Sequence, residues 1–178
     1  MKLHLGCGRR HIPGFIHIDA IDYPHVDHVS AIDNLCFIPD ASVELIYNCH
    51  VLEHFKRRDV GRVLLEWCRI LKPGGTLRIS VPDFASLCDI YREHRRLELV
   101  IGALFGRQDY LYNIHYNVFD YDELRAALER AGFVNVRRYD WRQTEHADVD
   151  DYSQAYIPHM DKEHGKLISL NVECSKPG

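Results

Sequence analysis

The sequence predicts an α/β fold: a doubly wound, mostly parallel sheet of seven strands with a shortened first crossover and an antiparallel last strand. Three observations carry this expectation. Lys2-Leu3-His4-Leu5 reads as a short buried strand ending on Gly6-Cys7-Gly8, and Phe15-Ile16-His17-Ile18 reads as a second strand ending on one carboxylate, Asp19. Helical patterns then separate most of the later strands, the order expected of parallel pairing. In open parallel sheets, ligands bind beyond the carboxyl ends of the strands, where glycines allow close backbone approach and an acid can take a ribose diol. The first twenty residues therefore read as the rim of a nucleoside-cofactor site.

The remaining elements follow in order. A brief strand is expected near Asp27 to Ala31, leading into Ile32-Asp33-Asn34-Leu35; Pro39-Asp40-Ala41-Ser42 is a turn, and Val43 to Tyr47 a strand. Val60, Val63, Leu64, Trp67, Cys68 and Leu71 recur at helical spacing and predict a helix from about Asp59 to Leu71. Lys72-Pro73-Gly74-Gly75 stops it, because proline cannot continue the hydrogen-bond ladder and glycine takes the left-handed exit. Thr76 to Val81 is the next strand. Asp120 is an N-cap with Glu123 three residues on, and Leu124, Leu128 and Ala131 form the apolar stripe before Gly132. Phe133 to Trp141 and Lys166 to Glu173 complete the strands. Residues 84–119 form a helical and loop insert, and 142–162 a long polar loop; loops of such length in compact domains tend to be functional.

At 178 residues and 46% hydrophobic content, the chain fits one domain, 1–178, with one core. A net charge of -4 supplies no basic field, which argues against a nucleic-acid partner. Arg92, Arg95 and Arg96 fall on a helix and read as a solvated face. No apolar run has transmembrane length and no secretory leader precedes the first strand, so no membrane partner and a cytoplasmic location are expected. The six cysteines include no C-x-x-C pair, in keeping with free thiols in a reducing compartment.

A dinucleotide fingerprint needs G-x-G-x-x-G opening a full helix, with the acid about 20 residues on. Here Arg9, Arg10 and His11 follow Gly8, and Asp19 arrives too early. That counts against a nicotinamide oxidoreductase. S-adenosylmethionine carries no phosphate and needs no such helix. It asks for close backbone approach, a carboxylate for the ribose and a polar edge for adenine.

The ordered set His4-Leu5-Gly6-Cys7-Gly8, Asp19, Asp33-Asn34-Leu35, Ser42 to Tyr47, His50-Val51-Leu52-Glu53-His54-Phe55 and Arg69 to Leu77 resembles the class I S-adenosylmethionine-dependent methyltransferases. The likeness is to the small methyltransferase-domain branch often linked to sugar and polysaccharide biosynthesis, with its Rossmann-like fold. It is dense over Met1 to Val81 and looser over Tyr121 to Arg137. The resemblance implies S-adenosylmethionine as cofactor and S-adenosylhomocysteine as product. It also implies Gly6, Cys7 and Gly8 along the methionine and ribose, Asp19 on the ribose hydroxyls, Asp33 near the adenine amino group with Asn34 and Leu35 flanking the ring, and Asn48 to His50 beneath the methionyl tail. An Asx-turn is the competing role for Asp33. Two features depart from the pattern: Arg10 stands where a third glycine is common, and Gly8 to Phe15 is too short for a crossover helix. A loop or single turn is expected there, leaving one side of the cofactor site open.

Methyl transfer to a hydroxyl or amine benefits from a base, and histidine suits that task. His115, at the end of the insert, and His50, at the end of the fourth strand, are the candidates; a hydrogen-bonded structural histidine is the alternative for each, and His54 reads as a turn anchor. The other histidines scatter without paired ligand spacing, which argues against a bound metal. Gln108, Asp109, Tyr110, Tyr112, Tyr116, Trp141, His146, Asp148 and Tyr152 suit a polyhydroxylated acceptor, or else close the core. The acceptor site is expected from the insert, the late loop or a second subunit. The expected function is O-methylation of a small polar acceptor such as a sugar or sugar conjugate; the alternative is a catalytically silent cofactor-binding or scaffold protein.

Overall fold

The computed structural model describes residues 1–178. Its strands are β1 (Lys2–Leu5), β2 (Ile16–Asp19), β3 (His28–Val29), β4 (Val43–Cys49), β5 (Leu71–Pro82), β6 (Val134–Arg138), β7 (Tyr156–Ile157), β8 (Lys166–Leu167) and β9 (Ser169–Ser175). The helices are α1 (Val60–Ile70), α2 (Phe84–His94), α3 (Ile101–Phe105) and α4 (Tyr121–Arg130). Seven strands form one sheet in the order β3-β2-β1-β4-β5-β9-β6, and β7 and β8 form a separate pair. Pairing is parallel from β3 through β5; β9 runs antiparallel to both its neighbours. No helix is long and apolar enough to cross a membrane.

Alternation along each strand divides the sheet into two unlike faces. Leu3, Leu5, Ile18, Ile46, Leu77, Ile79, Val81, Leu170 and Val172 point to one face and form a single core with Val63, Leu64 and Trp67 of α1 and Leu124 and Leu128 of α4. Trp67 is fully buried and donates its indole N–H to the carbonyl of Ile32 at 2.8 Å, fixing the chain after β3 to α1. The Asp120 carboxylate accepts from the Glu123 N–H at 2.9 Å, so the expected N-cap of α4 is present.

The other face carries His4, His17, Tyr47, Ser80 and Asn171. No helix joins β1 to β2, β2 to β3 or β3 to β4, so the crossover helices that would cover this face are missing. The segment after β6 covers it instead. Tyr47 donates to Asp151 at 2.6 Å, Asn171 donates to the Ser153 carbonyl at 2.9 Å, and Tyr139 and Ser80 share a hydrogen bond at 2.8 Å. Arg78 pairs with Glu145 at 2.7 Å, and His146 packs on Tyr47 with ring centroids 4.1 Å apart. Ile12, Phe15, Leu45 and Tyr47 form a small apolar cluster beneath it.

Several expected boundaries shift. The third strand shrinks to His28–Val29. β6 ends at Arg138, although the Tyr139 N–H still bonds to the Asn171 carbonyl of β9, and Trp141 opens a 3₁₀ turn. The last strand divides at Ile168, whose N–H bonds to Ala155, so that β8 serves β7 and β9 serves the main sheet. Lys72 to Gly75 lie within β5 as an outlooped irregularity: Val43 pairs with Leu71, but Leu45 pairs with Thr76.

Burial, reinforced by the neighbouring histidines, pulls His4 down from the usual 6.5 to about 3. The unfolded chain therefore binds a proton that the folded chain refuses between those values. Stability contributed at this site is complete above about pH 6.5 and is lost as pH falls toward 3. Urea titrations at about pH 7 and pH 5 should show the wild type losing on the order of 2 kcal/mol through His4 alone, and His4→Phe should shrink the difference. Trp67→Phe, which strands the Ile32 carbonyl, should cost about 1–3 kcal/mol by the same measurement.

Candidate functional site

The strand order reverses between β1 and β4, and the crevice beyond their carboxyl ends is where an open α/β sheet places its ligand. Gly6 and Gly8 follow β1 with φ of +65° and +54°, a region costly for residues with a Cβ. Gly6 has a second reason to be glycine: a Cβ there would lie 2.5 Å from Cγ2 of Val51, in the turn after β4. At Gly8 the same position meets open space. The Asp19 carboxylate accepts from the N–H of Gly8 at 2.8 Å and of Ile21 at 2.9 Å, one on each oxygen. Those bonds hold the glycine turn against the end of β2 and leave one lone pair on each oxygen. Cys7 is buried, its thiol 3.7 Å from His25 Nε2, and burial pushes it up to about 12.

Asn48 is fully buried between β1 and β5. Its amide donates to the Leu5 carbonyl at 3.0 Å, and its Oδ1 has no partner. The rim thus gathers Gly6, Cys7, Gly8, Asp19 and Asn48. Asp33 and Leu35 are not gathered with them. Asp33 Oδ2 accepts from Arg62 of α1 at 2.7 Å, and with Asn34, Leu65 and Glu66 it lines a surface depression against that helix. The Leu35 side chain is in the core; its N–H donates to Glu66 and its carbonyl accepts from Arg69. Asn34 is exposed.

Beyond β4 the chain turns at His50, which sits at φ +53°. Asn171 donates its amide to Ser153, so its Oδ1 receives the Ser169 hydroxyl at 3.0 Å. The Ser169 oxygen is then the acceptor for His50 Nε2–H, 3.0 Å away, which leaves His50 Nδ1 as a bare lone pair 3.5 Å from Glu53 Oε1. His115 Nδ1 donates to the Ala103 carbonyl at 2.9 Å, and its Nε2 lies 4.0 Å from the same Glu53 oxygen. His54 Nδ1 donates to the Ile114 carbonyl at 3.0 Å. Both candidate bases therefore have both nitrogens turned to protein. Burial pulls His50 to about 3 and His115 to about 4, with neighbouring histidines adding to each, while burial pushes Glu53 up to about 8.

Sequence reasoning missed Glu53 and Val51. An acid enclosed by Val51, Leu52 and Phe55 directly after a strand was the available signal for the first. The insert docks here through its backbone, Tyr116 N–H and Asn117 N–H both donating to the Glu53 carbonyl. The aromatic residues divide: Trp141 and His146 are buried under the late loop, whereas Tyr110, Tyr112, Tyr116 and Tyr152 are exposed. Tyr152 stands 5.4 Å from the His50 ring. Burial, and then the charges of Tyr23, Asp109, Asp19 and Tyr152, raise the Tyr110 phenol.

A family model described as a methyltransferase domain matches residues 5–138. A probable S-adenosylmethionine-dependent methyltransferase of Mycobacterium tuberculosis is 30% identical over 114 residues, covering 64% of this chain and 35% of that protein. A similar protein of Mycolicibacterium smegmatis is 30% identical over 96 residues, covering 54% and 30%. The chain spans about a third of the length of these curated relatives. Among solved structures, an Archaeoglobus fulgidus S-adenosylmethionine-dependent methyltransferase superposes with a TM-score of 0.60 at 17% identity, covering 98% of this chain and 85% of that one. The Burkholderia thailandensis 1,6-didemethyltoxoflavin N1-methyltransferase, solved with 1,6-didemethyltoxoflavin and S-adenosylhomocysteine, gives 0.58 at 16%, covering 99% and 71%. At such identities the structures show a shared fold.

Gly6→Ala should lower stability by about 1–3 kcal/mol through the strained φ and the Val51 contact. Paired with Val51→Ala it should be less than additive, because the clash is removed while the φ strain stays; strict additivity in urea unfolding would mean that Val51 does not press on the turn.

Proposed function

Because the chain belongs to the methyltransferase-domain family, we propose that it binds S-adenosylmethionine at the Gly6–Asp19 rim and methylates an oxygen of a small polar acceptor such as a sugar or sugar conjugate. The observation that carries this reading is the left-handed glycine turn at the head of β1, hydrogen-bonded to the carboxylate ending β2, at the sheet's switch point. The residues fit the cofactor. Gly8 leaves open space, Asp19 keeps a free lone pair on each oxygen, and Asn48 holds a buried acceptor without a partner. When bound, S-adenosylmethionine supplies a methyl group already activated on a sulfonium.

The chain's own contribution is then chiefly orientation, which can be worth about 7–11 kcal/mol. Asp19 would hold the ribose hydroxyls, and Gly6 and Gly8 would let the backbone approach the methionine and ribose. Tyr152, exposed beside the His50 ring, and Tyr110, exposed on the insert, offer flat faces to a sugar ring, and Asp109 offers an acceptor for its hydroxyls. His115 turns both nitrogens inward, so this reading gives it no proton-transfer role.

Asp19→Ala should abolish S-adenosylhomocysteine binding in calorimetry, with Asp19→Asn weakening it while keeping the side chain's size; unchanged affinity in both would reject the ribose role. With an acceptor found by following S-adenosylhomocysteine release across sugar-containing compounds, Tyr110→Ala and Tyr152→Ala should each raise the acceptor KM about two- to tenfold while cofactor affinity holds.

A further inference from the structure

Glu53 is fully buried, and neither of its carboxylate oxygens has a hydrogen-bond partner. Its surroundings supply lone pairs instead of donors. A carbonyl can only accept, so the His115 Nδ1 contact to Ala103 and the His54 Nδ1 contact to Ile114 fix the proton of each ring on Nδ1, and the His54 ring also faces the His50 carbonyl. His115 Nε2 lies 4.0 Å from Glu53 Oε1. The Asn171–Ser169–His50 chain leaves His50 Nδ1 bare, 3.5 Å from that same oxygen. Glu53, His54 and His115 each present one ligand atom, all within 4.8 Å of one another. Electron pairs crowd one point with no positive partner. A single proton on the carboxyl can satisfy one of these contacts and leaves the others facing each other.

We propose that Glu53, His54 and His115 bind one divalent transition-metal ion of the zinc class. The donor set argues for that class: imidazole nitrogens with one carboxylate suit zinc and its first-row neighbours, whereas magnesium and calcium prefer oxygen. Metal-bound histidines usually donate their second ring N–H to a backbone carbonyl, and His54 and His115 both do so. Glu53 and His54 come from the turn after β4, and His115 comes from the far end of the insert. The ion therefore clamps the insert onto the end of β4. This assignment does not depend on methyl transfer being the reaction.

The test uses the full chain, stripped with a chelator and titrated with Zn²⁺ and, separately, Co²⁺. One equivalent should bind, Co²⁺ should give the visible absorption of a tetrahedral site, and bound Zn²⁺ should raise the thermal midpoint. Glu53→Gln keeps the shape and removes a buried charge, so it should fold; with His115→Ala, it should weaken binding by more than the roughly 10–100-fold cost of losing an outer-sphere partner. Replacing His11 and His25, which cluster near Cys7, should change nothing. Failure of the stripped chain to take up either ion at micromolar concentration, or wild-type affinity in both Glu53→Gln and His115→Ala, would overturn the proposal. S-adenosylhomocysteine calorimetry on the same samples separates the readings: cofactor binding without metal uptake refutes the metal site alone, and metal uptake without cofactor binding refutes the cofactor reading alone.

Discussion

A parallel sheet has to be covered on both faces, and this chain covers its second face without helices. The constraint follows from the short links between the first four strands, none of which holds a helix. What covers the sheet is irregular backbone from residues 139–165, whose polar groups need partners. The strands supply them: Tyr47, Ser80, Arg78 and Asn171 point to that face and bond to the covering segment. A face of leucines and valines would have left the segment's amides and carboxylates unpaired at a cost of about 1–3 kcal/mol each. The tyrosine between the apolar residues of β4 is thus a consequence of how the face is closed.

The same economy shapes the rim. Without a helix after Gly8, no helix N-terminus steadies the glycine turn, and the Asp19 carboxylate performs that task through Gly8 and Ile21. One side chain thereby serves the fold and, in the proposed function, the ribose. On the β4 side, Val51 presses against Gly6 and His50 adopts a left-handed φ, so the two halves of the crevice are fitted to one another. The insert docks its backbone on Glu53 at the turn after β4.

Much of this was legible in the sequence. The short strands read at Lys2 to Leu5, Phe15 to Ile18, Val43 to Tyr47 and Thr76 to Val81 coincide with β1, β2, β4 and the later part of β5, and the stripe of Val60, Val63, Leu64 and Trp67 located α1, because each is a local signal. What was not legible depends on distant partners. Asp33 read as an adenine partner or an Asx-turn, and a sequence carries no sign that Arg62 of α1 lies beside it. Leu35 looked like a ring neighbour until the core claimed it. The Glu53 cluster escaped because its members lack paired spacing: two are adjacent in sequence and the third lies beyond α1, β5, α2 and α3. His146 read equally well as an acceptor-facing ring or as core until Tyr47 on the bare sheet face explained why it is inside.

The position of β9 carries one more consequence. This strand lies between β5 and β6 and bonds to both, yet it comes after them and after the covering segment in the chain. During synthesis, β5 and β6 therefore present open edges to solvent until residues 169–175 leave the ribosome. Sheet closure is a late, long-range event, slow by its topology and exposed meanwhile to pairing with other nascent chains.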